Sequence, residues 1–178
     1  MSPSSQPRDV AESANSHEVT AGDIVLAEPN LDQGHAAKCE LASEVLRTSG
    51  RLRLQVNGWS MLPTIWPGDT LQLERARREE LSAGDIVLFH RDRRLFAHRI
   101  VATAADMVTT RGDAMPQSDP TLAEDQVLGR VAYIVRDGRC IEPTKTLSLS
   151  QWAVAGIARS SGFGARVIVE LRGMLRSN

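Results

Sequence analysis

From Arg51 onward the apolar residues recur at every second position, and no helical period interrupts them until about residue 147. Arg51, Arg53 and Gln55 alternate with Leu52, Leu54 and Val56, the pattern of a half-buried strand. Short apolar runs follow at about 69–74, 85–90, 95–103, 107–111, 126–136 and 139–142. Turn-forming groups separate them: Pro67-Gly68-Asp69, Ala83-Gly84-Asp85, Arg91-Asp92-Arg93, Gly112-Asp113 and Asp137-Gly138. Connections this short leave no room for crossover helices, which argues against a βαβ arrangement. The expected fold is mainly β, a folded sheet or barrel-like domain over residues 51–143.

The flanks differ in character. Residues 1–20 are polar, hold no apolar segment of a signal peptide, and are expected to form a disordered leader. Residues 21–50 are expected to add a strand, at Ala21-Gly22-Asp23-Ile24-Val25-Leu26, and a helix over 35–49 with Ala37, Leu41, Val45 and Leu46 on its apolar face. The hexapeptide at Ala21 recurs at Ala83, which common Gly-Asp strand-entry chemistry explains without a repeat architecture. Residues 144–178 form a basic amphipathic tail. In it Trp152, Val154, Ile157, Phe163, Val167, Ile168, Leu171 and Leu175 stand among four arginines, and Gly162 and Gly164 divide two helices. Such a tail either packs back on its own domain, the commoner outcome, or makes peripheral contact with a membrane surface.

The 178 residues suffice for one well-buried domain with extensions. A net charge of −1 gives no overall electrostatic attraction for nucleic acid, and no nucleic-acid partner is expected. No window reaches the roughly 18 to 20 apolar residues of a spanning helix. Cys39 and Cys140 show neither CxxC nor metal-ligand spacing. They read as reduced, structural thiols of a cytoplasmic protein, with one disulfide between them as the alternative. No cofactor or metal is called for.

The chemistry centres on Ser60, placed where the first alternating run ends, in Asn57-Gly58-Trp59-Ser60-Met61-Leu62-Pro63-Thr64. A serine hydroxyl needs a base before it can act as a nucleophile. The only lysines are Lys38, in the preceding helix, and Lys145, beyond the last strand, and neither suits that role. Of the histidines, His17 falls in the leader, His35 at the helix start and His90 at a strand end. His98 shares a strand face with Phe96 and Ile100, a protected setting of the kind that favours a neutral imidazole able to accept a proton. A carboxylate on the other ring nitrogen would fix its tautomer. Asp113 and Asp119 are the nearby candidates, with Asp125 a more distant competitor.

Gly58-Trp59-Ser60-Met61-Leu62-Pro63-Thr64 resembles the nucleophile box of the signal peptidase I and LexA-type serine proteases. Gly84-Asp85-Ile86-Val87-Leu88-Phe89 is similar to the next box and Ala97-His98-Arg99-Ile100-Val101 to the one carrying the base. Thr110-Arg111-Gly112-Asp113, with Asp119 six residues on, resembles the acidic box, and Gly129-Arg130-Val131 the closing strand. Bacterial signal peptidases and LexA-type proteins pair serine with lysine, whereas archaeal and endoplasmic-reticulum-type signal peptidases use histidine, and this chain resembles the histidine branch. The resemblance implies Ser60 as nucleophile, His98 as base and then acid, and Asp119 as the orienting carboxylate. It makes Asp113, Met61 and Gly58 supporting residues, and a backbone amide at Ser60 the oxyanion donor. Four features depart from the pattern: Trp59 replaces a small residue, Leu62 a polar one, Ala114 and Met115 the usual asparagines, and a membrane anchor is missing.

Three readings follow. The first is an unanchored serine endopeptidase cutting an extended peptide or protein segment, as in limited processing of a precursor. The second is a LexA-like regulator that cleaves itself at Ala21-Gly22, although residues 1–50 offer one helix where a helix-turn-helix needs two. The third is a non-catalytic peptide-binding or assembly module, which the intact Ser60, His98 and Asp119 disfavour. The first is preferred.

Overall fold

The computed structural model describes residues 31–160. The expected strand at 21–26, the leader and the second tail helix lie outside the described residues. Helix α1 (Leu31–Ser49) precedes strands β1 (Arg51–Gln55), β2 (Thr70–Glu74), β3 (Ile86–Arg91), β4 (Arg94–Ala104), β5 (Met107–Arg111), β6 (Leu122–Ala123), β7 (Val127–Arg136) and β8 (Arg139–Ile141). Helix α2 (Leu149–Ser160) follows. The strands form one antiparallel sheet in the order β1-β2-β7-β3-β4-β5-β6, with β8 beside β7. The path is open, ending on β1 and β6, so the fold is a mainly β folded sheet and not a closed barrel.

The sheet separates two apolar clusters, and strand alternation decides which residue goes to which. On β3 and β4, Ile86, Leu88, Leu95 and Ala97 face one side with Leu46, Leu71, Leu73 and Ile134. Val87, Phe89, Phe96 and Ile100 face the other with Val108 and Leu122. Strand β3 is buried on both faces from Ile86 to Phe89, which is why its sequence is continuously apolar. Strand β6 escaped sequence reading because it is only two residues long, formed by pairing Leu122 with Val108 and Ala123 with Met107.

Both helices dock partly through residues other than those expected, Leu46 of α1 being buried as expected. Helix α1 begins at Leu31, earlier than residue 35, and buries Cys39, Ala42 and Leu46, an i, i+3, i+7 stripe. Leu41, assigned to the inner face, is 63% exposed. Helix α2 buries Ala155 and Ala158, whereas Trp152 and Ile157 are exposed. The reason is common to both. Short side chains let a helix backbone approach its neighbour closely, α1 the sheet, with Leu46 reaching into the core, and α2 the loops around Leu62 and Ala114. Ala158 packs on Leu62 and Ala114, with Trp59 and Trp66 at the edge of that contact. Cys39 and Cys140 are both free thiols. Cys39 is buried, and burial together with the charge of Glu40 pushes its thiol up from the ordinary value.

Candidate active site

Ser60 sits on the loop that leaves β1, and that loop is clamped at both ends. The Val56 N–H donates to the Asp69 carbonyl at 2.9 Å, and the Gly68 N–H to the Val56 carbonyl at 2.7 Å. Gly68 takes φ 91°, a turn conformation that a side chain would strain. The buried Asp69 carboxylate accepts from the Trp66 N–H at 2.7 Å and from two guanidinium nitrogens of Arg136 at 2.9 and 2.6 Å. Arg136 also donates to the Thr64 carbonyl at 2.8 Å, fixing the loop to β7.

His98 stands in the middle of β4, opposite Val87 of β3. Its ring is 4% exposed, edge-on to Phe89 at 5.9 Å and tilted against Phe96 at 5.8 Å. Nε2 lies 2.9 Å from Ser60 Oγ, and Nδ1 lies 2.7 Å from Asp119 Oδ2. The Thr110 hydroxyl donates to the same Asp119 oxygen at 2.7 Å, and the Asp119 N–H returns a bond to the Thr110 carbonyl at 2.8 Å. Arg91 lies 3.7 Å from the other oxygen. Burial alone would push the Asp119 carboxyl up. The hydrogen bonds from His98 and Thr110, and the charges of His98 and Arg91, outweigh it and hold the carboxyl below its ordinary value. An ionised Asp119 only accepts, so His98 Nδ1 carries its proton toward Asp119 and the Nε2 lone pair faces the serine hydroxyl.

Asp113 is engaged elsewhere. Arg99 grips its carboxylate with two parallel bonds, 2.9 Å from Nε and 2.8 Å from Nη2, and the Thr64 hydroxyl donates to it as well. Arg99 donates further to the carbonyls of Gly84 and Thr144, at 2.9 and 2.6 Å. The loop carrying Asp113 is latched to the serine by a bond from the Ala114 N–H to the Ser60 carbonyl at 2.9 Å. From the other side Arg159 of α2 donates to the Asp113 carbonyl at 2.8 and 3.1 Å while stacking on Trp152. Gly112 passes so close to the serine that a Cβ there would fall 2.6 Å from the Ser60 carbonyl oxygen and 3.2 Å from His98 Nε2.

Ser60, His98 and Asp119 are thus brought into one hydrogen-bonded line. Met61 is buried beneath them, its sulfur 3.4 Å from the Asp113 N–H. Gly58 borders the adjacent groove, and a Cβ there would meet nothing within 4 Å, so the protein itself does not require a glycine at that position. Trp59 packs toward α2 and does not line the groove. Asp125 is exposed on the helical turn before β7. Lys145 bonds the Ser82 hydroxyl at 2.8 Å and lies 3.4 Å from Asp85. Lys38, set aside as merely helical, lines the same groove as Ser60. The motifs contain Arg99, Thr110 and Gly112 but do not by themselves show a role for them, and Arg159 carries no signal in the sequence beyond its charge.

The groove has a volume of about 600 Å³ and runs from Ser60 between residues 54–58 and 93–97, with His35 and Lys38 of α1 on its wall. Among the described residues two strand edges beside it are unpaired: β1 pairs with β2 alone, and β5 takes up the edge of β4 only from Arg99 onward, leaving residues 94–98 open on that side. Among the described residues no group of three or more His, Cys, Asp or Glu is placed to hold a metal ion, and no helix is long and apolar enough to cross a membrane. No curated protein matches the chain. A family model described as Peptidase S24-like matches residues 9–130, and the chain belongs to that Peptidase S24-like family.

Proposed function

We propose that the protein is a serine endopeptidase that cleaves an extended peptide segment laid as an added strand in the groove beside Ser60. The observation that carries this reading is the unbroken line from Ser60 Oγ through both nitrogens of His98 to Asp119. In this mechanism His98 Nε2 takes the serine proton as Oγ attacks the carbonyl carbon. Asp119 keeps the ring in the required tautomer and stabilises the imidazolium that forms. The Ser60 N–H donates to no backbone carbonyl among the described residues and is the donor for the oxyanion. His98 then protonates the leaving amine, and water, deprotonated by the same nitrogen, hydrolyses the acyl-enzyme. The open edges of β1 and residues 94–98 supply main-chain partners for the substrate strand.

The test is labelling with a serine-directed phosphonate followed by mass spectrometry. Wild type is expected to carry one adduct on Ser60, with none in Ser60→Ala and a strongly slowed reaction in His98→Ala. Absence of a Ser60-dependent adduct, together with no peptide cleavage, would return the protein to the class of binding modules.

A self-cleaving LexA-like regulator is the second reading. The family match starts at residue 9 and so takes in Ala21-Gly22 as well as the serine. Intact mass after long incubation separates the two: loss of the segment before Gly22 in wild type but not in Ser60→Ala supports self-cleavage, and an unchanged full-length mass rejects it.

A further inference from the structure

The groove beside Ser60 is apolar in its depth and basic at its rim. Leu54, Val56, Met61, Leu88 and Leu95 supply its apolar lining, and among the described residues every titratable side chain on it is basic: His35, Lys38, Arg93 and Arg94. Among the described residues no carboxylate borders it. The arginines closer to the serine are already paired, Arg91 with Asp119 and Arg99 with Asp113. Lys38, Arg93 and Arg94 are exposed, and among the described residues none of them forms an ion pair or a side-chain hydrogen bond. Arg93 is not on a loose loop. It occupies, with Asp92, the tight connection between β3 and β4, at φ 58° and 49°, the positive values of a two-residue hairpin turn.

We infer that this groove selects peptides carrying an acidic side chain about four residues from the bond to be cut, read by Arg93, Arg94 and Lys38. The spacing follows from β4. Arg94 precedes His98 by four residues on one continuous strand, about 13 Å at strand rise, and a peptide strand laid along the open edge of residues 94–98 advances at the same rate. The position of the cut rests on the endopeptidase reading, whereas the acidic preference does not.

The experiment therefore measures binding, with full-length Ser60→Ala and fluorescent alanine-rich peptides in which a single Asp or Asn is moved one position at a time. The Asp peptide is expected to bind roughly ten-fold tighter than its Asn twin at the favoured position in low salt, the scale of two or three exposed ion pairs. The preference is expected to shrink at high ionic strength. It is expected to vanish in Lys38→Gln/Arg93→Gln/Arg94→Gln, whose unchanged melting temperature would show that the fold is intact. Equal binding of Asp and Asn peptides, no binding of either, or a preference that survives in the triple variant overturns the inference. Phosphonate labelling of Ser60 reports separately on the chemistry. An adduct without acidic preference removes only the selectivity, and acidic preference without an adduct removes only the peptidase reading.

Discussion

Replacing Gly112 by alanine puts one methyl group where three atoms already stand. The new Cβ would lie 2.6 Å from the Ser60 carbonyl oxygen, 2.7 Å from Met115 Cγ and 3.2 Å from His98 Nε2. Met115 is flexible enough to move aside, but the carbonyl oxygen is backbone, already held by the Ala114 N–H at 2.9 Å. Gly112 does not have a positive φ, so alanine adds no backbone strain, and the effect is one of contact alone. Reaching ordinary contact with the oxygen requires the two segments to part by about 0.8 Å. That displacement falls on Ser60 itself and on the start of the loop that ends in Asp119. A misplacement near 1 Å at a reacting group costs on the order of 100-fold in rate. Overpacking of this kind destabilises by about 1–3 kcal/mol, several degrees in melting temperature for a chain of this size.

The assay is the rate of phosphonate labelling of Ser60 beside a thermal melt, with Gly156→Ala as control. Gly156 is an exposed helical glycine whose added Cβ would meet nothing within 4 Å. The control is expected to label at the wild-type rate and to gain about 0.5–1 kcal/mol from helix propensity. Gly112→Ala is expected to label about 100-fold more slowly and to melt earlier. A Gly112→Ala protein that labels within a few-fold of wild type, at an unchanged melting temperature, would refute the close-approach argument.

Arg99→Ala leaves the Asp113 carboxylate, 4% exposed, without its cation, and is expected to destabilise by about 3–5 kcal/mol in urea unfolding. Arg99→Lys should recover only part of this because an ammonium cannot make the paired bonds, and full recovery would argue against the bidentate grip. Thr110→Val removes one of the donors that hold the Asp119 carboxyl below its ordinary value. A carboxyl lowered by folding contributes stability above its unfolded value, and that contribution is lost as pH falls through the folded one. The Thr110→Val carboxyl titrates higher, so acid unfolding should begin at a higher pH than in wild type. A coincident acid limb for the two proteins would deny Thr110 that role.

The strand ladder was legible because short apolar runs, alternating or continuous, stand between clear turn groups, and strand alternation placed His98 beside Phe96 and Ile100. What periodicity could not convey is size. It weights Leu41, Trp152 and Ile157 by their hydrophobicity, yet α1 and α2 bury Cys39, Ala42, Ala155 and Ala158, which are short enough to let each helix come close to its neighbours. Nor does it convey where pairing stops. The open edge at residues 94–98 exists because β5 joins β4 only from Arg99, with a register shift between Ile100 and Ala102. Bulges and strand ends are set by the packed neighbours and leave little trace in a single strand's sequence. Arg99 was invisible for a related reason, since a charged residue reads as exposed until its buried partner is known, and that partner lies on another element.

The two carboxylates of the loop after β5 acquire different chemistry from one strand. His98 and Arg99 are consecutive on β4, so their side chains leave opposite faces of the sheet. On one face stands an imidazole, which can both accept and donate a proton. On the other stands a guanidinium, which cannot. Asp113 reaches the guanidinium and is committed to a permanent ion pair, while Asp119, six residues on, reaches the imidazole and holds its Nδ1 proton. Gly112 lets the first part of that loop lie against Ser60, and the Thr110 bonds bring its end back to β5. The loop therefore straddles β4 with one acid on each side. Residue identity alone left Asp113 and Asp119 as alternatives, and the alternation of a single strand separates them.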